Sequence, residues 1–308
     1  MGKMRNEKAA TIGMFDGVHR GHQFVIRQLQ EQAQRHGLQP LVITFDRSPR
    51  QEQVLTPLDE KLRLIRETGI VHTEVLRFTP ELKALSARQF MEQELGRRLG
   101  VRLLLTGYDN RFGHRQAPSS AGAASHEEGF DDYVRYGREL GIEVVGLPAE
   151  GNVSSSLIRE LLTTGRVAEA ADCLGHLYTV SGHVGHGQHI GTGLGYPTAN
   201  LVPDDKCQLI PAAGVYAVTV DTPTGHHRGM MNIGTRPTFE GQSTTLEVHI
   251  LHHQENLYGQ PLSVTFVDRL RQECFFDSVE ALKQQLRQDA VKTEQIITAY
   301  EESHHLSL

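Results

Sequence analysis

Apolar and polar positions follow two rhythms along the chain, one in each half. In the first half, short apolar runs alternate with stretches of helical period. Ala9–Phe15, Leu41–Phe45, Glu74–Phe78, Arg102–Thr106 and Glu143–Leu147 are predicted as strands. Between the first two, Phe24, Ile26, Leu29 and Ala33 form an approximately helical stripe that Gly37 should end. Ser86 and Gln89 predict a capping box, opening a helix with Phe90, Met91, Leu95 and Leu99 that stops near Gly100. The pairs Leu157/Leu161 and Ile158/Leu162 predict a helix over Ser156–Thr163, with Gly165 just past its end. Alternating strands and helices imply an α/β, doubly wound parallel sheet.

After about Gly175 the period shortens to two. Tyr216, Val218 and Val220 alternate with Val215, Ala217 and Thr219, and Leu246, Val248 and Ile250 with Glu247 and His249. Leu262, Val264 and Phe266 repeat the pattern between Gly/Pro/Thr turns, which predicts an antiparallel sheet or barrel. A long helix should close the chain, capped by Asp277 with Glu280 at its third position and Leu282 and Leu286 on its early apolar face. The change of rhythm puts the domain boundary near 174, giving domains over 1–174 and 175–308.

The 308 residues suffice for two domains. A formal net charge of −6 argues against a nucleic-acid binder that relies on a broad basic face. Cys173, Cys207 and Cys274 are far apart and form no C-x-x-C, so reduced thiols are expected rather than a disulfide framework or a thiolate zinc site. No secretory-type apolar core and no membrane-length stretch is present, which predicts a cytoplasmic protein without a membrane partner. The histidine pairs at 226–227, 252–253 and 304–305 lack helical metal-ligand spacing and read as surface residues.

Four segments carry chemistry. Gly13-Met14-Phe15-Asp16-Gly17-Val18-His19-Arg20-Gly21-His22 turns a strand into a helix through glycine-rich backbone. Unpaired N–H groups at such a helix start favour phosphate, and imidazoles three residues apart can address the same anion. Ser154-Ser155-Ser156-Leu157-Ile158-Arg159 opens another helix, with hydroxyls and a guanidinium suited to a triphosphate or, more plainly, to an N-cap and a surface charge. Gly193-Leu194-Gly195-Tyr196-Pro197-Thr198-Ala199-Asn200 is a glycine-rich loop in which Thr198 and Asn200 offer hard oxygen ligands for Mg²⁺. No G-x-x-x-x-G-K-[ST] occurs, which excludes a Walker-type kinase. Glu247 lies on the strand face opposite Leu246, Val248 and Ile250. By position alone it is a solvent-facing carboxylate or a general base.

The first of these segments resembles the signature of the nucleotidyltransferase superfamily, and the serine-rich segment resembles its second phosphate motif. The resemblance implies ATP binding by Gly13, Phe15, Asp16, Gly17, Ser154, Ser155, Ser156 and Arg159, with His19 and His22 catalytic. Thr44-Phe45-Asp46 and Gly107-Tyr108-Asp109-Asn110-Arg111-Phe112-Gly113 resemble the bacterial FAD synthetase branch, which implies flavin contacts at Asp46 and Asp109. The chain departs from that branch at Arg47, Ser48 and Asn110, where proline, histidine and an aromatic residue are usual. The loop over 193–200 resembles riboflavin kinase, as do Asn232-Ile233-Gly234, Arg236-Pro237-Thr238-Phe239, Tyr258-Gly259 and Leu270-Arg271-Gln272-Glu273, with Thr192 standing in place of a common arginine. This implies ATP contacts at Gly193, Gly195, Pro197, Thr198 and Asn200, Mg²⁺ on Thr198 and Asn200, flavin contacts at Arg271 and Glu273, and Glu247 as base. Taken together, the motifs imply a bifunctional riboflavin kinase/FAD synthetase with riboflavin, FMN and ATP as its small-molecule partners. A kinase with an inactive nucleotide-binding first domain and a non-catalytic flavin or nucleotide sensor are the alternatives.

Overall fold

The structure is a computed structural model that describes residues 7–47, 53–107, 128–148, 151–186, 195–238, 241–253 and 255–304; for 236–238 and 241–243 it describes the backbone alone. Ser48, Asp109, Asn110, Thr192 and Gly193 lie outside the described residues. The chain forms two compact units, Met1–Val153 and Ser154–Leu308.

In the first unit, strands β1 (Lys8–Ile12), β2 (Gln39–Phe45), β3 (Thr73–Leu76), β4 (Val101–Thr106) and β5 (Glu143–Gly146) form one sheet in the order β3-β2-β1-β4-β5. Every pairing is parallel. Helices α1 (Arg20–His36), α2 (Leu58–Glu67), α3 (Pro80–Ala84), α4 (Ala87–Phe90, continuing as a π-helical segment Met91–Arg98) and α5 (Phe130–Leu140) connect the strands. Alternation along β1 sends Ala9 to one core with Ile26, Leu29 and Ile65, and Ala10 and Ile12 to another with Phe90, Met91 and Tyr133. Both sheet faces are therefore covered, which is why the strands read as continuous apolar runs. Gly37 ends α1 in the left-handed conformation at φ 65°, and Ser86 and Gln89 form the expected capping box.

The second unit opens with α6 (Ser155–Thr163) and α7 (Val167–Leu174). The Ala212 N–H donates to the Leu162 carbonyl at 3.0 Å, and Arg269 donates to the carbonyls of Thr164 and Ala213 while lying over the Tyr216 ring. These bonds fasten α6 and α7 to the barrel, so the compact units divide upstream of the change in strand rhythm. Strands β6 (Tyr178–Gly185), β7 (Ala199–Pro203), β8 (Gly214–Thr222), β9 (Gly225–Thr238), β10 (Gly241–Ile250) and β11 (Pro261–Arg271) close a barrel in the order β10-β7-β6-β11-β8-β9. Tyr178, Tyr216 and Phe266 pack as an aromatic cluster.

Helix α8 (Val279–His304) covers the opposite strand face, with Ile297 against Val215, Ala217, Met230 and Val267. Arg228 bridges from β9 to Glu294 and Glu301 on this helix. Its cap is Ser278, not Asp277: the Ser278 hydroxyl accepts the Ala281 N–H at 3.1 Å, which shifts Glu280 to the second helical position. A serine one residue nearer the helix supplies the same oxygen without stretching the first turn.

Candidate active sites

The first site lies at the C-terminal edge of the parallel sheet, where β1 sits between β2 and β4 and the winding direction reverses. Gly13 leaves β1 with its N–H bonded to the Ile43 carbonyl at 3.0 Å. Phe15, Gly17 and Val18 then take positive φ angles of 50°, 83° and 39°. Glycine tolerates this freely, whereas Phe15 and Val18 each store on the order of 1–3 kcal/mol of strain. Surrounding bonds hold them there. Asp16 Oδ1 accepts the N–H groups of Leu55 at 2.9 Å and Thr56 at 3.2 Å, and the Gly17 N–H donates to Thr56 Oγ1. Asp16 thus clamps the loop to the segment entering α2.

His19 is the N-cap of α1, and its Nδ1 accepts the His22 N–H at 3.3 Å. An accepting Nδ1 carries no proton, so the neutral His19 ring bears its hydrogen on Nε2. The His22 ring stacks on His19 with centroids 3.6 Å apart and planes 18° from parallel, and meets Phe15 edge-on at 5.1 Å. Burial, then the His19 ring and the Lys61 ammonium, hold the His22 pKa well below the usual 6.5, so the ring is neutral at neutral pH. His22 Nδ1 is buried without a hydrogen-bond partner among the described residues. An unmatched buried nitrogen costs about 1–3 kcal/mol, which a ligand oxygen at this helix start would recover. A Cβ at Gly21 would stand 3.2 Å from the His19 ring and 3.8 Å from the Val153 carbonyl, so a side chain there would disturb the stacked pair.

The end of β2 completes this edge. Thr44 Oγ1 donates to the Met14 carbonyl at 3.1 Å, and Asp46 Oδ1 accepts the Phe78 N–H at 3.0 Å. Lys61 on α2 reaches the same place, donating to the carbonyls of Met14 and Phe45. It takes the first place of a buried i, i+3, i+4 stripe with Leu64 and Ile65, where an apolar residue would be expected. That misplaced cation is the signal by which the sequence could have revealed it. In the second unit, Ser154 caps α6 by accepting the Leu157 N–H at 3.2 Å, Ser155 and Ser156 fill the first turn, and Arg159 follows one turn on.

The second site is a row across the outer barrel face. Register pairs Glu247 with Asn200 on one side and Asn232 on the other, Asn200 with Gly185, Asn232 with Val215, and Val215 with Arg271. Directly paired residues project to the same face, so Glu247 stands between two amides. Asn232 is the residue that the sequence reading left out of the site. Glu273 joins the row, its Oε1 only 2.9 Å from where a Gly234 Cβ would be. Arg271 turns instead toward α8: its guanidinium pairs with the buried Asp289 at 2.8 Å, lies over Phe276 and donates to the Gln272 carbonyl.

Next to this row is a cavity of about 190 Å³ lined by Pro197, Thr198, Asn200, Glu255, Asn256 and Tyr258, among others. The entering loop turns at Gly195 (φ 81°), and His249 fixes it by donating from Nδ1 to the Pro197 carbonyl at 2.7 Å, with its ring edge-on to Tyr196. Burial lowers the His249 pKa despite that bond, so it too is neutral at neutral pH. The donors at Thr198, Asn200 and Glu247 are all hard oxygens, which suits Mg²⁺. Among the described residues no group of three or more His, Cys, Asp or Glu side chains could hold a metal alone, so much of the coordination would fall to nucleotide phosphates.

A glycine-rich helix start at the switch point of a doubly wound sheet, followed by a barrel with a carboxylate flanked by amides, suits a two-domain transferase of phosphorus-containing groups. An FAD synthetase family model matches residues 2–145, and a riboflavin kinase model matches 174–297. The bifunctional riboflavin kinase/FMN adenylyltransferase of Escherichia coli K12 is 37% identical over 91% of this chain and 89% of its own. Its counterpart from Listeria monocytogenes is 35% identical over 93% and 91%. A solved Streptococcus pneumoniae structure titled as a macrolide-efflux protein superposes with a TM-score of 0.83 at 30% identity, over 96% of this chain and 95% of that one. The chain belongs to the family of bifunctional riboflavin kinase/FMN adenylyltransferases. No helix among its described residues is long and apolar enough to cross a membrane.

Proposed function

We infer that this protein makes FAD from riboflavin in two ATP-dependent steps. In the first, the riboflavin 5′-hydroxyl attacks the γ-phosphorus of ATP, giving FMN and ADP. Glu247 takes the hydroxyl proton, and Thr198 and Asn200 hold the nucleotide with Gly193, Gly195 and Pro197. In the second, an FMN phosphate oxygen attacks the α-phosphorus of a second ATP, giving FAD and pyrophosphate. His19 and His22 donate N–H groups to the phosphates and the turn over 13–17 shapes their cradle, while Ser154, Ser155, Ser156 and Arg159 are assigned to ATP binding for this step. Asp46 and Asp109 are assigned to the flavin side of that step. Mg²⁺, when bound by Thr198, Asn200 and the nucleotide, supplies charge neutralisation of the phosphates. Arg271 and Glu273 are assigned to the flavin in the kinase, and the fork of Arg271 on Asp289 also holds the segment that carries Glu273. The functional division is placed at 174/175, and the enzyme is assigned to the cytoplasm.

The observation that supports this reading most is the register that sets Glu247 between Asn200 and Asn232 beside the Thr198 cavity. The test is incubation with riboflavin and Mg-ATP, followed by chromatographic separation of flavins. FMN followed by FAD is expected. FMN alone would select a kinase with an inactive first domain, and neither product would select a sensor.

The His249 anchor gives a milder prediction. His249→Ala frees the Pro197 carbonyl and lets the loop bearing Thr198 drift, so the kinase KM for ATP should rise roughly 3–10-fold, FMN adenylylation staying unchanged. Steady-state kinetics at varied ATP check this, and an unchanged KM would show that the loop holds its shape without the histidine.

A further inference from the structure

Lys61 is 5% exposed, and its Nζ lies 2.8 Å from the Phe45 carbonyl and 3.2 Å from the Met14 carbonyl. The Phe45 carbonyl ends β2 just before Asp46, and the Met14 carbonyl lies in the turn that follows the neighbouring β1. The Met14 carbonyl accepts from Thr44 Oγ1 as well, so three segments meet at one point. An ammonium has three donors; two are used, and the third has no acceptor among the described residues. No carboxylate among the described residues lies within ion-pair distance, although Asp16 and Asp46 act on Lys61 from the loops after β1 and β2, and His22 is coupled to it from the start of α1.

Burying a cation without a contact ion pair costs several kcal/mol. A glutamine could satisfy two carbonyls at far lower cost. The positive charge is therefore the part of Lys61 that the tether leaves unexplained. An anion arriving at the neighbouring helix start is what such a charge suits, and His22, held neutral there, supplies a hydrogen bond but no charge.

We propose that Lys61 is a positioning residue for adenylyl transfer. It ties the ends of β1 and β2 together and supplies the buried positive charge under which the ATP triphosphate settles against His19 and His22. This rests on the adenylyltransferase site proposed above. Burial pushes the Lys61 ammonium down to about 8, against the opposing pull of Asp16 and Asp46. In the nucleotide-free enzyme the charge is thus present below that pH and lost as pH rises through it.

The test uses the full-length protein with Lys61→Gln and Lys61→Arg. Adenylylation of FMN is followed at varied ATP from pH 6.5 to 9.5, with kinase activity and cooperative unfolding as controls. Lys61→Gln keeps donors for the carbonyls but no charge, so kcat/KM for ATP should fall about 10–100-fold at pH 7.5 with kinase activity unchanged. Wild-type kcat/KM for ATP should decline above about pH 8, whereas Lys61→Arg, which stays charged, should remain flat to pH 9.5. A merely structural tether would lower the Tm of the variants without altering either pH profile. Wild-type kcat/KM in Lys61→Gln, or one shared alkaline limb in wild type and Lys61→Arg, overturns the proposal. If Lys61→Gln does not fold, the comparison of wild type with Lys61→Arg still decides. His22→Ala, run in parallel, separates the two levels. Full activity there refutes the site, while a loss there with unaffected Lys61 variants refutes Lys61 alone.

Discussion

Glu247→Gln is expected to cut FMN formation from riboflavin by about 10²–10⁴-fold, while FAD formation from supplied FMN stays near the wild-type rate. The substitution keeps the size of the side chain and its place between Asn200 and Asn232, the residues paired with it across β7 and β10 and across β9 and β10. It removes only the capacity to take a proton. The loss should therefore appear in kcat with little change in the KM for ATP, because Thr198 and Asn200 remain in place beside the cavity. Coupled assays for each half-reaction, on protein shown to unfold cooperatively, check this. If Glu247→Gln abolished both reactions in folded protein, one shared site would be catalysing both, contrary to the two-site assignment.

Glu247 also shows what alternation can and cannot reveal. Period two places it opposite Val248, but not beside Asn200 and Asn232, because strand register depends on how the barrel closes. The barrel itself was legible, since Tyr216, Val218 and Val220 alternate cleanly and fill one face. Arg271 shows what motif context leaves unseen. Its motif context implies a flavin contact, and the long helix also brings the buried Asp289 into reach of the guanidinium, which pairs with it. Contacts between residues 18 positions apart on different elements leave no local trace.

The first unit repeats the lesson at its functional edge. Every predicted strand is present, and the stripe of α1 and its glycine stop are where period and capping place them. Apolar patterning alone ran β1 on to Phe15, yet the strand stops at Ile12, because Phe15, Gly17 and Val18 turn left-handed to shape the site. Strain of that kind follows no apolar rhythm; it is a local cost that the surrounding bonds to Asp16 and Thr56 sustain. Helix α2 was invisible for a related reason. Its buried stripe begins with a lysine, so the residue most unusual for the fold interrupted the pattern that would have disclosed the helix.

His22→Ala should produce the converse phenotype, lowering FMN adenylylation by about 10²–10³-fold while sparing riboflavin phosphorylation. The argument rests on protonation as much as on position. Stacked 3.6 Å from His19 and depressed below its usual pKa, His22 would, in the proposed role, enter the reaction as a neutral N–H donor that needs no reorganisation as charge grows on the phosphates. A methyl group removes that donor and half of the stack, so kcat should fall more than ATP affinity does. Acid supplies an independent check. A folded-state pKa held below the unfolded value near 6.5 makes the unfolded chain bind more protons as pH drops, so stability is lost on the acid side of that value. His22→Ala should lack this part of the acid sensitivity: its Tm relative to wild type should rise as pH falls from 7 toward 5. A constant difference in Tm across that range, together with undiminished adenylylation, would mean that His22 is neither held neutral by the fold nor in contact with the reacting phosphates.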